Sequence, residues 1–241
     1  MKEYLIILAT ALIAVFTACC LASCKKEEKG IDEKLLYGTW ELVSGSTDGV
    51  PDESRNEAVA FHKGGNCLFI SFDEGGDVLT ASTWSLKGNS LTLRIYDGDE
   101  LLASVEFTIK KISSSEFTIE SSTNNHTSVN TYKKCSSEQL YGKWHQTNSE
   151  HSDVLLAINE NGTATRSYTI GSDKYSFDID WSIEDDVICF DYKASYLNGA
   201  AYNGNLDKDY SYAIILLSSC RMILRYDNSD SNAVQFYEKV Q

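Results

Sequence analysis

Leu36-Tyr37-Gly38-Thr39-Trp40 returns 104 residues later as Leu140-Tyr141-Gly142-Lys143-Trp144, and each copy opens a run of short segments of β character. Laying one half on the other extends the match. Phe72-Asp73-Glu74-Gly75-Gly76 answers to Ile158-Asn159-Glu160-Asn161-Gly162, Trp84-Ser85-Leu86 to Trp181-Ser182-Ile183, and Ile112-Ser113-Ser114 to Leu217-Ser218-Ser219. Tyr132-Lys133-Lys134 closes the first copy as Tyr237-Glu238-Lys239 closes the second. The order never breaks and all four tryptophans pair off, so the chain reads as one module written twice.

Within each copy the hydrophobic period is two. Leu91, Leu93 and Ile95 alternate with polar residues, as do Phe177, Ile179 and Trp181, and then Ile188, Phe190 and Tyr192. One apolar and one wet face is the pattern of an antiparallel sheet buried on one side. Gly75-Gly76, Gly88-Asn89, Asp97-Gly98 and Asn161-Gly162 punctuate the runs as turns. Seven or eight strands per copy are expected, with short helical lead-ins only at Asp32–Tyr37 and Ser136–Tyr141. Many short strands joined by tight turns favour an up-and-down barrel, because closure removes the exposed edges. The expected fold is all-β, two tandem small antiparallel barrels, with domains at 32–134 and 135–241.

Ahead of the modules, residues 1–23 read as a targeting leader. Leu5 to Phe16 is apolar except for Thr10, too short to span a bilayer as a helix and suited to a signal-peptide core. Leu21-Ala22-Ser23-Cys24 resembles a bacterial lipobox, which implies cleavage before Cys24, a lipid on its thiol and acyl chains of the palmitate type that anchor the mature protein to a membrane. Residues 24–31 then form a charged tether. Its Lys25-Lys26-Glu27-Glu28 is similar to surface-export signals of some Gram-negative lipoproteins, and equally reads as a solvated linker. The expected location is the outer membrane of a Gram-negative bacterium, lipid-anchored, on either the periplasmic or the outer face. A net charge of −14 excludes nucleic acid as a partner, since its phosphates would be repelled.

A helical turn running into Gly-x-Trp on the first strand resembles the opening of the lipocalins, and resembles more closely the small lipocalin-like domains of bacterial lipoproteins. The resemblance implies structural roles for Gly38, Trp40, Gly142 and Trp144: the glycine lets the chain pass close to the lead-in, and the tryptophan plugs the closed end. In lipocalins a basic residue of the late strands often covers that tryptophan. Arg225 is the candidate in the second copy, while the first has Glu120 at the equivalent place.

A barrel of about eight strands is either filled by its own side chains or holds one small ligand. Trp84 and Trp181 are candidates to line such a space. Two loops break the short-turn pattern: Ser44–Glu57, where the resemblance implies a lid, and Ala194–Asp209, which reads equally as a slack hairpin or as a recognition loop with Tyr196 and Tyr202. Catalytic chemistry is thin. His145-x5-His151 has no further ligand at zinc spacing. Asp227-x-Ser229-x-Ser231 with Glu238 imitates a calcium loop without its turn glycine. Asp178, Asp180, Glu184, Asp185 and Asp186 read as a solvated patch. There is no nucleophile motif and no phosphate-binding glycine loop, so neither catalysis nor a cofactor is expected. Of the cysteines beyond Cys24, pairing within modules is expected, Cys67 with Cys135 and Cys189 with Cys220. Two functions remain open: binding of a small, mostly apolar ligand, or docking of a surface protein or glycan by filled barrels.

Overall fold

A computed structural model describes residues 30–52, 56–73, 76–97, 99–123, 125–184, 186–202, 209–226 and 233–240. The leader, Cys24 and most of the tether lie outside the described residues, as do Asp185 and positions 227–232 of the calcium-like sequence. The first barrel runs through β1 (Gly38–Thr47), β3 (Glu57–Phe61), β4 (Asn66–Asp73), β5 (Gly76–Lys87), β6 (Ser90–Asp97), β7 (Glu100–Ile112), β8 (Glu116–Thr123) and β9 (His126–Lys134). Each strand pairs antiparallel with the next, and β1 closes on β9 from Trp40–Lys134 to Thr47–Ser128. The second runs through β10 (Gly142–Gln146), β11 (Ser152–Ile158), β12 (Thr163–Ile170), β13 (Asp173–Glu184), β14 (Val187–Leu197), β16 (Asp209–Leu217), β17 (Arg221–Tyr226) and β18 (Val234–Lys239), closing β10 on β18. Both are eight-stranded up-and-down barrels.

The two expected loops prove to be partly strand. β1 continues through Thr47, turns at Asp48-Gly49 and returns as the short arm β2 (Val50–Pro51). β14 continues through Leu197, turns at Asn198-Gly199 and returns as β15 (Ala200–Ala201). Each barrel therefore carries one hairpin arm at the end away from its lead-in.

The closed end is built the same way twice. One-turn 3-10 helices, Glu33–Leu35 and Ser137–Leu140, deliver Leu36 and Leu140 into the cores with no exposed surface. Trp40 and Trp144 are also fully buried, and a buried indole N–H needs an acceptor. Each finds the carbonyl four residues back: Trp40 Nε1 donates to Leu36 and Trp144 Nε1 to Leu140, both at 2.7 Å. The other ring face takes a lysine, Lys134 Nζ 5.2 Å from the Trp40 centroid and Lys239 Nζ 5.0 Å from that of Trp144. Lys239 also donates to the Gln139 carbonyl of the lead-in at 2.9 Å. The covering base is thus the last lysine of each copy. Arg225, the sequence candidate, sits exposed on the outer wall, opposite Ala213 and Val234. The glycines make room for these lysines. A Cβ on Gly38 would meet Lys134 Cε at 3.2 Å and one on Gly142 would meet Lys239 Cε at 3.1 Å, with φ of +106° and +120°.

The barrels pack side by side. All five residues of β3 are buried, because Val59 and Phe61 enter the first core while Ala58 and Ala60 face the other barrel. The small alanines admit close approach, with Leu68, Ile70 and Phe72 completing this face. Opposite lie Ile215, Leu216, Ile223 and Phe236. A bulge between Ile214 and Leu216 explains the unbroken aliphatic run: Ile214 and Leu217 pack inward, Ile215 and Leu216 outward. At the rim Leu217 N–H donates to Thr39 Oγ1 at 3.2 Å, and Glu41 accepts from the Ser219 backbone and hydroxyl. Arg221 lies over the Phe72 ring.

All four described cysteines are free thiols, so neither within-module pairing is made. Cys67 is in the first core, and burial pushes its thiol up to about 11. Cys135 lies past β9; burial first, then Glu41, pushes its thiol up to about 12. Cys189 is on the outer wall beside Ser211.

Replacing Gly142 by Ala is expected to cost about 1–3 kcal/mol in urea unfolding, from backbone strain and the displaced lysine. A cost below about 0.5 kcal/mol would show that the lysine need not pass there. Ile70→Asp is expected to separate the barrels while leaving each folded, seen as proteolysis between residues 134 and 142 with β-type circular dichroism retained.

Candidate functional site

The second barrel's interior changes character along its axis. Next to the lead-in it is aliphatic, with Leu140, Ile158, Ala164, Ile179, Ile188, Met222 and Leu224 packed around Trp144. Further along β14, β16, β17 and β18 the wall turns to tyrosine. Tyr192, Tyr212 and Tyr237 are buried there, and Phe177, Tyr210 and Tyr226 pack against them with ring centroids 5.4–6.5 Å apart. Nearer the open end Tyr168 stacks on His151, Phe177 and Tyr175, and Tyr175 meets Tyr202 edge-on.

Arg166 lies in the middle of this wall. Alternation along β12 puts Ala164, Arg166 and Tyr168 on the inner face, with Arg166 paired to Leu156 and Phe177. Its Nη1 donates to Tyr192 Oη and its Nη2 to Gln146 Oε1, both at 3.3 Å, while its buried Nε has no partner. Burial opposes the guanidinium charge, the hydrogen bond to Tyr192 favours it, and the group stays protonated. Burial in turn pushes the Tyr212 hydroxyl up to about 12 and that of Tyr237 higher still, although Arg166 pulls both down. The Tyr212 and Tyr237 hydroxyls therefore stay neutral at physiological pH, and Tyr237 donates to Gln235 at 2.7 Å.

The first barrel answers differently at the same register. Strand pairing sets Leu42 against Tyr132 where Gln146 faces Tyr237, and Phe69 between Val59 and Thr80 where Arg166 lies between Leu156 and Phe177. Its buried polar groups include an acid, Glu57, which accepts from Tyr132 Oη at 2.8 Å. The duplicated wall has diverged to opposite charge.

The residues singled out from sequence do not form one site. Trp84 and Trp181 belong to the closed ends: Trp84 Nε1 donates to the His62 carbonyl at 3.2 Å beside Phe61 and Tyr37, and Trp181 Nε1 to that of Asn159 at 2.9 Å beside Tyr141. Tyr196 lies on the outer wall, its hydroxyl donating to Asp178 at 2.9 Å. Tyr202 alone reaches the aromatic mouth. Asp180 and Asp191 flank Lys193 on the outer wall, and Glu238 pairs with Arg221 at 3.1 Å. Among the described residues no three metal-ligating side chains converge. Arg166 and Gln146 escaped the sequence reading, although the period-two alternation of Ala164, Arg166 and Tyr168 carries the signal.

A second concavity lies between the barrels, a cleft of about 500 Å3 lined by Tyr37, His62, Asn66, Asp186, Ile214 and Arg225 among others. His62 Nε2 is buried there without a partner. Burial holds the imidazole below its ordinary value of 6.5, against an opposing hydrogen bond to the Ile215 backbone, Asp186 also opposing and Arg225 assisting.

No protein-family model matches the chain, and no curated protein matches it. Solved structures do. A lipocalin-like protein from Bacteroides uniformis is 18% identical, covering 42% of this chain and 99% of its own, with a TM-score of 0.35. A protein of the DUF3598 family from Nostoc punctiforme, of unknown function, is 13% identical over 86% of this chain and 97% of its own, with a TM-score of 0.27.

Because His62 is held neutral in the fold, the unfolded chain binds its proton more readily. Its contribution is level above pH 6.5, falls as pH drops through 6.5, and levels off below the folded value. His62→Gln is expected to flatten the pH 7 to pH 5 difference in urea midpoint relative to wild type; an unchanged difference would place the sensitivity in the carboxylates.

Proposed function

We propose that this chain is a non-catalytic binding protein, lipid-anchored through Cys24 in the outer membrane of a Gram-negative bacterium, and that its second barrel holds a small, mostly apolar ligand. The observation that carries the binding reading is the change of lining along that barrel. An interior kept only for stability is economically filled with aliphatic and aromatic carbon, as the closed end is. The outer half instead collects tyrosines, a glutamine and an arginine with an unsatisfied buried nitrogen. An apolar wall with a few convergent polar groups is what a small-molecule site needs. Tyrosines supply rigid contact area with a polar edge at low entropic cost.

The anchor reading is supported by Leu21-Ala22-Ser23-Cys24 and the apolar run before it. Chain direction is compatible with it. Ile31 N–H donates to the Gly88 carbonyl at 3.2 Å, at the closed end of the first barrel, so the tether leaves from the end opposite the hairpin arms.

Native mass spectrometry on protein recovered from its own membrane, beside a soluble chain starting at Lys25, tests the reading. Extra mass on the folded soluble part that is lost on denaturation, and an acyl mass on Cys24 of the membrane form, are the expected results. A bare polypeptide mass in native spectra, together with no binding of apolar probes, would turn the reading to the second class, a docking module for a surface protein or glycan.

A further inference from the structure

The geometry points to an amphiphile that enters the second barrel head first, its carboxylate on Arg166 and its apolar body between the tyrosines that rise to the mouth. This rests on the second barrel being a binding chamber and adds the charge and orientation of the ligand.

A guanidinium is charged at every pH the protein meets, and inside a fold it is ordinarily held by a carboxylate. Among the described residues Arg166 makes no ion pair, and its hydrogen-bond partners are a phenol and an amide. Of its five N–H donors two are used, each in a long 3.3 Å bond to a neutral oxygen, and Nε is unused and buried. Nε and an adjacent Nη proton form the edge of the guanidinium that grips a carboxylate with two parallel bonds. Tyr192 accepts from Arg166, which leaves its own hydroxyl proton to donate to the same anion.

Direction follows from the lining. Toward the lead-in the barrel is closed by Trp144, Ile158, Ile179 and Met222 in mutual contact. Toward the mouth the walls are Phe177, Tyr168, Tyr175 and Tyr210, rings that suit an alkyl or aromatic body. The head therefore lies deep and the body extends outward. The first barrel is unsuited to the same ligand, with Phe69 at the register of Arg166 and a buried Glu57 that repels an anion. One site per chain is expected.

Titration calorimetry of the full mature chain with oleate and with methyl oleate tests this. Oleate is expected to bind one per chain, and its methyl ester, of the same length without charge, at least about 10-fold more weakly. Arg166→Gln should bring oleate down to the level of the ester. Arg166→Phe, which copies the first barrel, should do the same while its thermal melt shows a folded chain. Arg94→Gln on the outer wall of the first barrel should leave binding unchanged. Equal binding of acid and ester by wild type overturns the charged-head assignment and leaves the chamber standing. Binding of neither overturns the chamber and the inference with it. The wild-type comparison needs no variant, so a misfolded Arg166 mutant cannot obscure the result.

Discussion

An indole N–H cannot be buried without an acceptor, and both barrels are arranged around that requirement. Trp40 and Trp144 take the last carbonyl of a one-turn helix, which fixes where the helix sits across the barrel's end. A lysine from the final strand lies on the remaining ring face, so first strand, last strand and lead-in meet at one residue. The glycine two positions before each tryptophan follows from the lysine, since any side chain there would occupy the stem's path. Closure of the sheet and closure of its end are therefore one event. The period of two along the other strands then determines what faces inward.

Packing of the two barrels draws on a different part of the sequence. β3 is short and apolar on both faces, which in an isolated barrel would leave Ala58 and Ala60 bare on the outer wall. Fully burying an aliphatic side chain contributes about 1.5–3 kcal/mol, so Leu68, Ile70, Leu216 and Ile223 make this contact a substantial part of the fold's stability. Held this way, the barrels share a cleft with a neutral histidine in its wall. Their interiors meanwhile have diverged, one around a glutamate and one around an arginine. Duplication supplied two equivalent interiors, and the polar groups beside Tyr132 and Tyr192 now differ, an acid in one and a guanidinium in the other.

Much of this was legible in the chain. Repetition of Leu-Tyr-Gly-x-Trp and the alternation at Ile188, Phe190 and Tyr192 sufficed for two all-β barrels, because inside and outside in a small barrel are set by period alone. The covering lysines were present in the matched Tyr-x-Lys endings, but cation–π contact depends on where the last strand ends against the first, which sequence spacing does not reveal. Trp84 and Trp181 read as cavity residues because they are large and apolar; register places them at the sealed end instead. Disulfide pairing failed for a similar reason, since Cys67 points into a core and Cys135 lies beyond a strand end. Arg166 was hidden by its type. A lone arginine in a polar stretch reads as surface until its strand's inner face is counted out from Ala164.

The most direct test of the central claim, that the second barrel alone became a chamber for an anionic amphiphile, is a crystal structure of the mature chain grown with oleate. The account predicts density from the Arg166 guanidinium past Phe177 and Tyr168 to the mouth, and a first barrel filled only by its own side chains. Density in the first barrel or in the cleft beside His62, with Arg166 still bonded only to Tyr192 and Gln146, would contradict it.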